Sequence, residues 1–505
     1  MEERPFKGRV KRRRQKKGFS PRGRFLMTNA KHIHLIGICG TAMASLAGML
    51  KQRGFHVTGS DAAAYPPMSD FLRGLGIPVA QPFDARNLEP KPDLVVIGNA
   101  ISRGNVELEH VLDQRLDFCS LPQLLHEEFL RGKEVLVVAG THGKTTTTSM
   151  LSWIFHSAGL DPSFLIGGIA ENFGSSFHLG NGKHFILEGD EYDTAFFDKG
   201  PKFLHYFPDS IILTSVEFDH ADIYKDLDAV ETAFKRLVNL IPRRGTIVAF
   251  DGAVGDATES PSLERCLAKA FCPVDRYGPG SQATWRVTNL RLDPGRTTWT
   301  VLHKGERFSD FEFALAGEYN VWNATAAAAL AFSRGVSKEA IADALRTFKS
   351  VKRRLEVKAQ VNGITIIDDF AHHPTAISGT LKALRARYPG SRLWVILEPR
   401  SNTLRRRVLQ GDLARSLAQA DEVIVANVFR SEAIPENERL ELPALAAEIK
   451  EFGRPARLLA DADAIVQTIT PELRSGDVVA ILSNGGFGGI YEKLPVRLRE
   501  LAEGK

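Results

Sequence analysis

Apolar and polar positions along the chain alternate between two periods. From Lys31 onward a strand-like run, 32-HIHLIGICG-40, is followed by a helix-period stretch, 41-TAMASLAGMLKQRG-54, and then by a second strand-like run, 55-FHVTGSD-61. Similar runs stand at 93-DLVVIGNA-100 and 135-VLVV-138. Strand, glycine turn, helix and strand in succession predict a parallel, doubly wound sheet. The stretch 283–315 alternates residue by residue and predicts an antiparallel hairpin or meander, while 323-NATAAAALAFSRG-335 predicts an alanine-rich buried helix ended by glycine. Beyond 349-KSVKRRLEV-357 the alternation resumes, with strands expected at 364–370, 393–399 and 422–428 and helices at 375–388 and 404–420. No repeat of solenoid length is present. The breaks in this rhythm divide the chain into a segment 1–30 and three units, 31–130, 131–348 and 349–505, as expected of 505 residues at the usual domain size.

Composition narrows the class. Apolar residues make up 43% and charged residues 25%, which suits a soluble globular protein with substantial cores. No run approaches the roughly 18 uncharged apolar residues of a membrane span. The net charge of +5 is unevenly placed: residues 1–24 hold eleven Lys or Arg against Glu2 and Glu3, so the rest of the chain is mildly acidic. That acidic body argues against nucleic acid as a partner, and the basic segment 1–30 reads as a disordered tail. Cys39, Cys119, Cys266 and Cys272 are too few and too scattered for a disulfide framework or a paired metal site, which points to a reducing, cytoplasmic setting.

Candidate chemistry concentrates in a few short stretches. In 139-AGTHGKTTTTSM-150 a strand ends, Gly140 and Gly143 turn the backbone, and a helix begins, so free amide groups face an anion. Lys144 supplies a cation for outer phosphates and Thr145 a hydroxyl for Mg²⁺. Val138 stands where the full Walker A pattern has its first glycine, leaving a shorter GxxGKT. Downstream, 187-LEGDEYDTAFF-197 and 217-EFDHADIY-224 each follow apolar, strand-like residues. Carboxylate and imidazole groups at strand ends beside a phosphate loop are what Mg²⁺ needs to bridge ATP oxygens. At the start of the chain, Gly37, Cys39 and Gly40 form a shortened dinucleotide-type turn, and Asp61 ends the second strand where such folds recognise a ribose or base.

GTHGKTTTT, EGDEYDTAFFD, EFDHAD, 317-GEYNVWNATAA-327, 351-VKRRLEV-357 and 367-IDDFAHHPTAI-377 occur in the order and rough spacing of the Mur ligases. Over residues 31–505 the chain resembles this family of ATP-dependent amino acid or peptide ligases of peptidoglycan synthesis. The resemblance implies a three-domain α/β architecture: a Rossmann-like N-terminal domain for a UDP-sugar, a central P-loop ATPase domain and a Rossmann-like C-terminal domain for the peptide. GICGTAM, 398-EPRSNTLRRR-407 and 482-LSNGGFGGIYEKL-494 look like those members that join L-alanyl-γ-D-glutamyl-meso-diaminopimelate to the carboxylate of UDP-N-acetylmuramate during recycling. Addition of free L-alanine to the same carboxylate is the alternative.

The resemblance also implies roles residue by residue. Gly140, Thr141, His142, Gly143, Lys144, Thr145, Thr146, Asn320, Asn323, Arg354 and Asp369 would contact ATP, with Lys144, His220 and Arg354 catalytic. Thr145, Glu188 and His220 would hold Mg²⁺. Gly37, Cys39, Gly40, Ser60 and Asp61 would bind the UDP-sugar, and His372 and Arg400 the peptide. As bare sequence, Asn323 reads instead as a helix N-cap, Arg353 and Arg354 as a solvated linker, AHHP as a helix entry before Pro374, and 405–407 as the solvated start of a helix. Tyr319 and Ser215 depart from the family pattern, where histidine and asparagine are usual.

Overall fold

The computed structural model describes residues 31–64, 68–252 and 261–503; the basic segment 1–30 lies outside the described residues. Three sheets succeed one another along the chain. The first has five parallel strands, which in order of sequence stack 3-2-1-4-5. Its centre is His32–Ile36, flanked by His56–Ser60 and Leu94–Ile97, and the winding reverses there. Such a reversal opens a crevice beyond the carboxyl ends of the strands. The helix Thr41–Gln52 starts directly after Gly40 and buries every residue from Met43 to Leu50.

The second sheet has ten strands. Glu134–Ala139 lies inside it, parallel to Ser210–Leu213 on one side and to His184–Gly189 on the other. With both faces covered, Val135 to Ala139 can be apolar without interruption, and all five are buried. The following helix, Lys144–Ser157, opens with four threonines, poor helix formers in isolation. Packing overrides that preference: Thr148 and Ser152 donate to the carbonyls of Lys144 and Thr148, each at 2.8 Å, so their hydroxyls are satisfied in the interior. The alternating stretch forms the expected meander, Trp285–Asp293, Arg296–His303 and Glu306–Phe313, all antiparallel. The alanine-rich helix is longer than its pattern suggested. It spans Glu318–Ser333 after Gly317, whose φ of 93° suits glycine, so Asn323 sits in the second turn and is no N-cap.

The third sheet stacks its six strands 1-2-6-3-4-5, the first antiparallel and the rest parallel. Pro374–Arg387 begins at proline with His373 as cap, its ring accepting from the Thr375 amide. The helix expected from residue 404 starts only at Gln410, after a 3₁₀ turn at Arg407–Leu409. Arg405 is the cause. Its guanidinium reaches the carbonyls of Phe429 and Arg430, both at 3.3 Å, and the Asn402 side chain, and Arg406 pairs with Arg439 as an isolated bridge. The expected solvated face is therefore wrong for Arg405, which is drawn inward. No helix among the described residues is long and apolar enough to cross a membrane.

The first two units meet through the helix Thr41–Gln52, where Ser45 and Ser176 share a hydrogen bond of 2.7 Å. A Cβ at Gly48 would come within 2.7 Å of the Phe177 ring, so glycine is what allows this approach. Gly48→Val should therefore lower the unfolding midpoint in urea, at an overpacking cost of about 1–3 kcal/mol. An unchanged midpoint would mean that this junction is loosely packed.

Candidate functional site

The carboxyl end of Glu134–Ala139 delivers the chain into the loop 140–143, where Gly140 and Gly143 have φ of 128° and 77°. Side chains are excluded there by space as well as by conformation. A Cβ at Gly140 would collide with the Thr214 hydroxyl, and one at Gly143 would lie 2.5 Å from Asn323 Oδ1. Thr141 anchors the loop sideways, its hydroxyl accepting from the Glu217 amide at 2.9 Å.

Lys144 folds back over this loop. Its ammonium donates to Gly140 O at 2.7 Å, to Thr141 O at 3.2 Å and to Glu191 Oε1 at 2.9 Å. Glu191 Oε1 also meets His220 Nε2 at 2.9 Å, so one buried carboxylate joins the lysine to the histidine. Burial opposes all three charges. The mutual attraction outweighs it, holding Lys144 and His220 above their ordinary pKa values and Glu191 below. His220 also adopts φ 57°, a left-handed conformation unusual for a non-glycine residue.

Thr145 and Glu188 form a second group. The Thr145 hydroxyl donates to Glu188 Oε1 at 3.0 Å, Gly167 N donates to Glu188 Oε2 at 2.9 Å, and Arg354 Nη2 lies 3.4 Å from Thr145 Oγ1. Burial raises the Glu188 carboxyl above its usual range despite Lys144 and Arg354 nearby. A carboxylate still short of positive charge, next to a hydroxyl oxygen, fits a hard cation. His220 stands apart from this pair, with its Nε2 on Glu191 Oε1.

Two cavities flank these residues. The larger, about 710 Å³, is lined by His142, Gly143, Thr146, Asn320, Asn323, Arg354 and Asp369 together with Tyr277 and Trp322. Asn320 and Asn323 touch through their side-chain amides at 3.4 Å. Asp369 is buried and accepts from Leu355 N at 2.7 Å, Ala371 N at 2.8 Å and the Thr380 hydroxyl at 3.2 Å, so it shapes the wall as well as facing it. Arg354 is no solvated linker. It reaches the glycine-loop side and lies over the Phe370 ring at 5.1 Å, while Arg353 pairs with buried Asp368 at 3.1 Å.

The smaller cavity, about 310 Å³, brings His220 and Tyr192 of the second unit against His372, Arg400, Arg405 and Asn484 of the third. His372 Nδ1 donates to Phe370 O at 2.9 Å, and burial lowers its pKa from the ordinary histidine value. Arg400 lies 3.8 Å over the Phe429 ring and 3.5 Å from Glu398 Oε1. The loop carrying these arginines docks onto the His220 loop: Thr403 donates to Asp219 Oδ1 at 2.6 Å and accepts from Ala221 N at 3.2 Å, and Asn402 donates to Asp222 at 2.7 Å.

In the first unit Gly37 has φ 82°, and its amide and that of Ile38 both donate to Ser60 O. Asp61 Oδ2 accepts from Cys39 N at 2.9 Å. Burial and Asp61 push the Cys39 thiol up to about 11. The Ser60 hydroxyl is fully buried against Glu107, so it fixes the turn from inside. Glu191 and Glu217 escaped the sequence reading. Both stand in the quoted acidic clusters, but spacing alone does not tell which acid of a cluster points inward.

Three family models match the chain: the Mur ligase family catalytic domain over residues 32–132, the Mur ligase middle domain over 138–331, and the Mur ligase glutamate ligase domain over 353–485. The chain is 43% identical to the UDP-N-acetylmuramate–L-alanyl-γ-D-glutamyl-meso-2,6-diaminoheptandioate ligase of Escherichia coli, over 93% of this chain and 99% of that protein. It is 33% identical to a UDP-N-acetylmuramate–L-alanine ligase of Desulfitobacterium hafniense, over 91% and 98%. Among solved structures it matches a murein peptide ligase of Psychrobacter arcticus with a TM-score of 0.70 and 38% identity, covering 93% and 98% of the two chains.

The crowding at Gly143 gives a direct check on the loop. Gly143→Ala should weaken ATP binding about tenfold or more, since strain of this kind costs about 1–3 kcal/mol, while far-UV circular dichroism stays unchanged. Unaltered affinity by calorimetry would mean that the loop does not hold the nucleotide.

Proposed function

The chain belongs to the Mur ligase family, and on that premise we propose that it joins L-alanyl-γ-D-glutamyl-meso-diaminopimelate to UDP-N-acetylmuramate at the expense of ATP, a recycling step of peptidoglycan metabolism. The observation that carries this reading is the link Lys144–Glu191–His220, which runs from the glycine loop to a cavity lined by Arg400 and His372. Greater identity to the tripeptide ligase than to the alanine ligase supports the same choice of amine. ATP, a UDP-sugar and a recovered peptide meet in the cytoplasm, which is the compartment we assign.

The work divides among three domains, 31–130 for the UDP-sugar, 131–348 for ATP and 349–505 for the peptide. ATP occupies the larger cavity with its phosphates on the amides of loop 140–143. Lys144 exchanges Glu191 for the outer phosphates, and Arg354 stabilises charge on the moving phosphoryl group. Thr145, Glu188 and His220 would hold Mg²⁺, which neutralises phosphate oxygens. A carboxylate oxygen of the muramyl lactyl group attacks the γ-phosphorus, ADP leaves, and an acyl phosphate forms. The tripeptide's α-amine then attacks the acyl carbon, loses a proton and expels inorganic phosphate, leaving the amide. Arg400 pairs with a peptide carboxylate that alanine lacks.

Phosphate release from ATP with UDP-N-acetylmuramate, with tripeptide and L-alanine supplied in parallel, tests the whole reading. Turnover should need the tripeptide; turnover on alanine alone would replace it with the alanine-adding activity. Lys144→Ala and Glu188→Ala should each lower kcat by about 10²-fold or more, because each removes charge needed as the phosphoryl group moves. Near-normal turnover in either variant would move the active site elsewhere. Arg400→Ala should cut kcat/KM for the tripeptide by roughly one to two orders of magnitude, the worth of a charged hydrogen bond of about 1.5–3 kcal/mol, with KM for ATP little changed. Unchanged tripeptide kinetics would remove Arg400 from peptide recognition.

A further inference from the structure

A third constellation lies beside the glycine loop, and beyond the place of His142 and Glu217 on the wall of the larger cavity the steps above assign its side chains no role. His142 of the loop, Glu217 beyond the strand Ser210–Leu213, and His373 at the head of the helix Pro374–Arg387 each place a potential ligand atom within 4.8 Å of the other two. Among the described residues no other set of three histidine, cysteine or acidic side chains does so. We propose that His142, Glu217 and His373 form a binding site for a transition-metal dication of the zinc class, separate from the magnesium position and shared between the central and C-terminal domains.

Geometry and donor chemistry both point this way. His142 Nε2 and Glu217 Oε1 face each other as an ion pair at 3.1 Å, both atoms shielded from water, and neither has any other partner. Two ligands each about 2.0–2.1 Å from a tetrahedral zinc ion are themselves about 3.3 Å apart, so a small movement admits the ion. The rings of His142 and His373 lie 4.7 Å apart between centroids, tilted by 47°. The two ring nitrogens of His373 make only long contacts, to Phe218 O and from Thr375 N, both at 3.3 Å. With the ion on Nδ1, the bond from Nε2 to the Phe218 carbonyl would remain as the outer contact that orients a metal-bound imidazole. Glu217 has such a contact already, since the Thr375 hydroxyl donates to its Oε2 at 2.7 Å. Two imidazoles and one carboxylate suit zinc rather than magnesium, and the fourth position opens on the larger cavity, which His142 and Glu217 line. Two ligands belong to one domain and the third to the next, so the ion ties the domains together as they stand here.

The test uses the full chain, stripped of metal by a chelator and dialysed, without nucleotide. Zn²⁺ is titrated by calorimetry, and Co²⁺ by the visible absorption that tetrahedral cobalt gives. One equivalent should bind. Affinity should fall about tenfold or more in Glu217→Gln and in His373→Asn, where asparagine keeps the helix cap but removes the imidazole. His220→Ala, which alters the magnesium position, should keep the site. Circular dichroism of each variant establishes that it is folded. Absence of saturable binding to the wild type overturns the proposal and leaves the three residues as an ion-paired contact between domains. Binding that survives in folded His373→Asn, or vanishes in His220→Ala, overturns it equally.

Discussion

One buried carboxylate sets the state of the site. Glu191 holds Lys144 on one side and His220 on the other, each at 2.9 Å. Three charges share a space from which water is largely excluded, and the carboxylate offsets both cations. The lysine is thereby folded over its own loop, and the histidine is held in a strained backbone conformation. A polyanion that drew Lys144 away would leave His220 as the remaining cationic partner of Glu191.

The surrounding fold makes the triad possible by bringing strand ends together. Ala139, Gly189 and Leu213 end neighbouring parallel strands of one sheet, so the loops bearing Lys144, Glu191 and His220 emerge side by side. The third unit then closes over them through specific polar contacts, Thr403 to Asp219 and Thr375 to Glu217, beside apolar packing of Ala316 and Tyr319 on its core. The first unit is fastened differently. Its contact at Gly48 and Phe177 is apolar and close, beside the hydrogen bond between Ser45 and Ser176.

Much of this was legible in the chain because the signals are local. The strand Glu134–Ala139, the turn at Gly140 and Gly143 and the start of the next helix follow from β-branched residues, glycines and a helix cap within a dozen positions. The meander at 285–313 was equally plain from its period of two. What sequence could not supply was long-range. The cap of Glu318–Ser333 fell at Gly317 because the glycine's φ of 93° starts that helix earlier than the alanine pattern does. The helix after residue 404 was delayed because Arg405 found carbonyl partners in another loop. Glu188 and Glu191 are indistinguishable by composition, and only the pleat of the strand ending at Gly189 and the loop after it decide which acid meets Thr145 and which meets Lys144.

The central claim is that phosphate leaves carrying an oxygen of the sugar's carboxylate. UDP-N-acetylmuramate labelled with ¹⁸O in both carboxylate oxygens tests it directly, with the released phosphate read by mass spectrometry or by the isotope shift of its phosphorus resonance. An acyl phosphate predicts one labelled oxygen in each inorganic phosphate formed with the tripeptide. Label appearing in AMP, or phosphate free of label while the amide accumulates, would contradict phosphoryl transfer to the carboxylate.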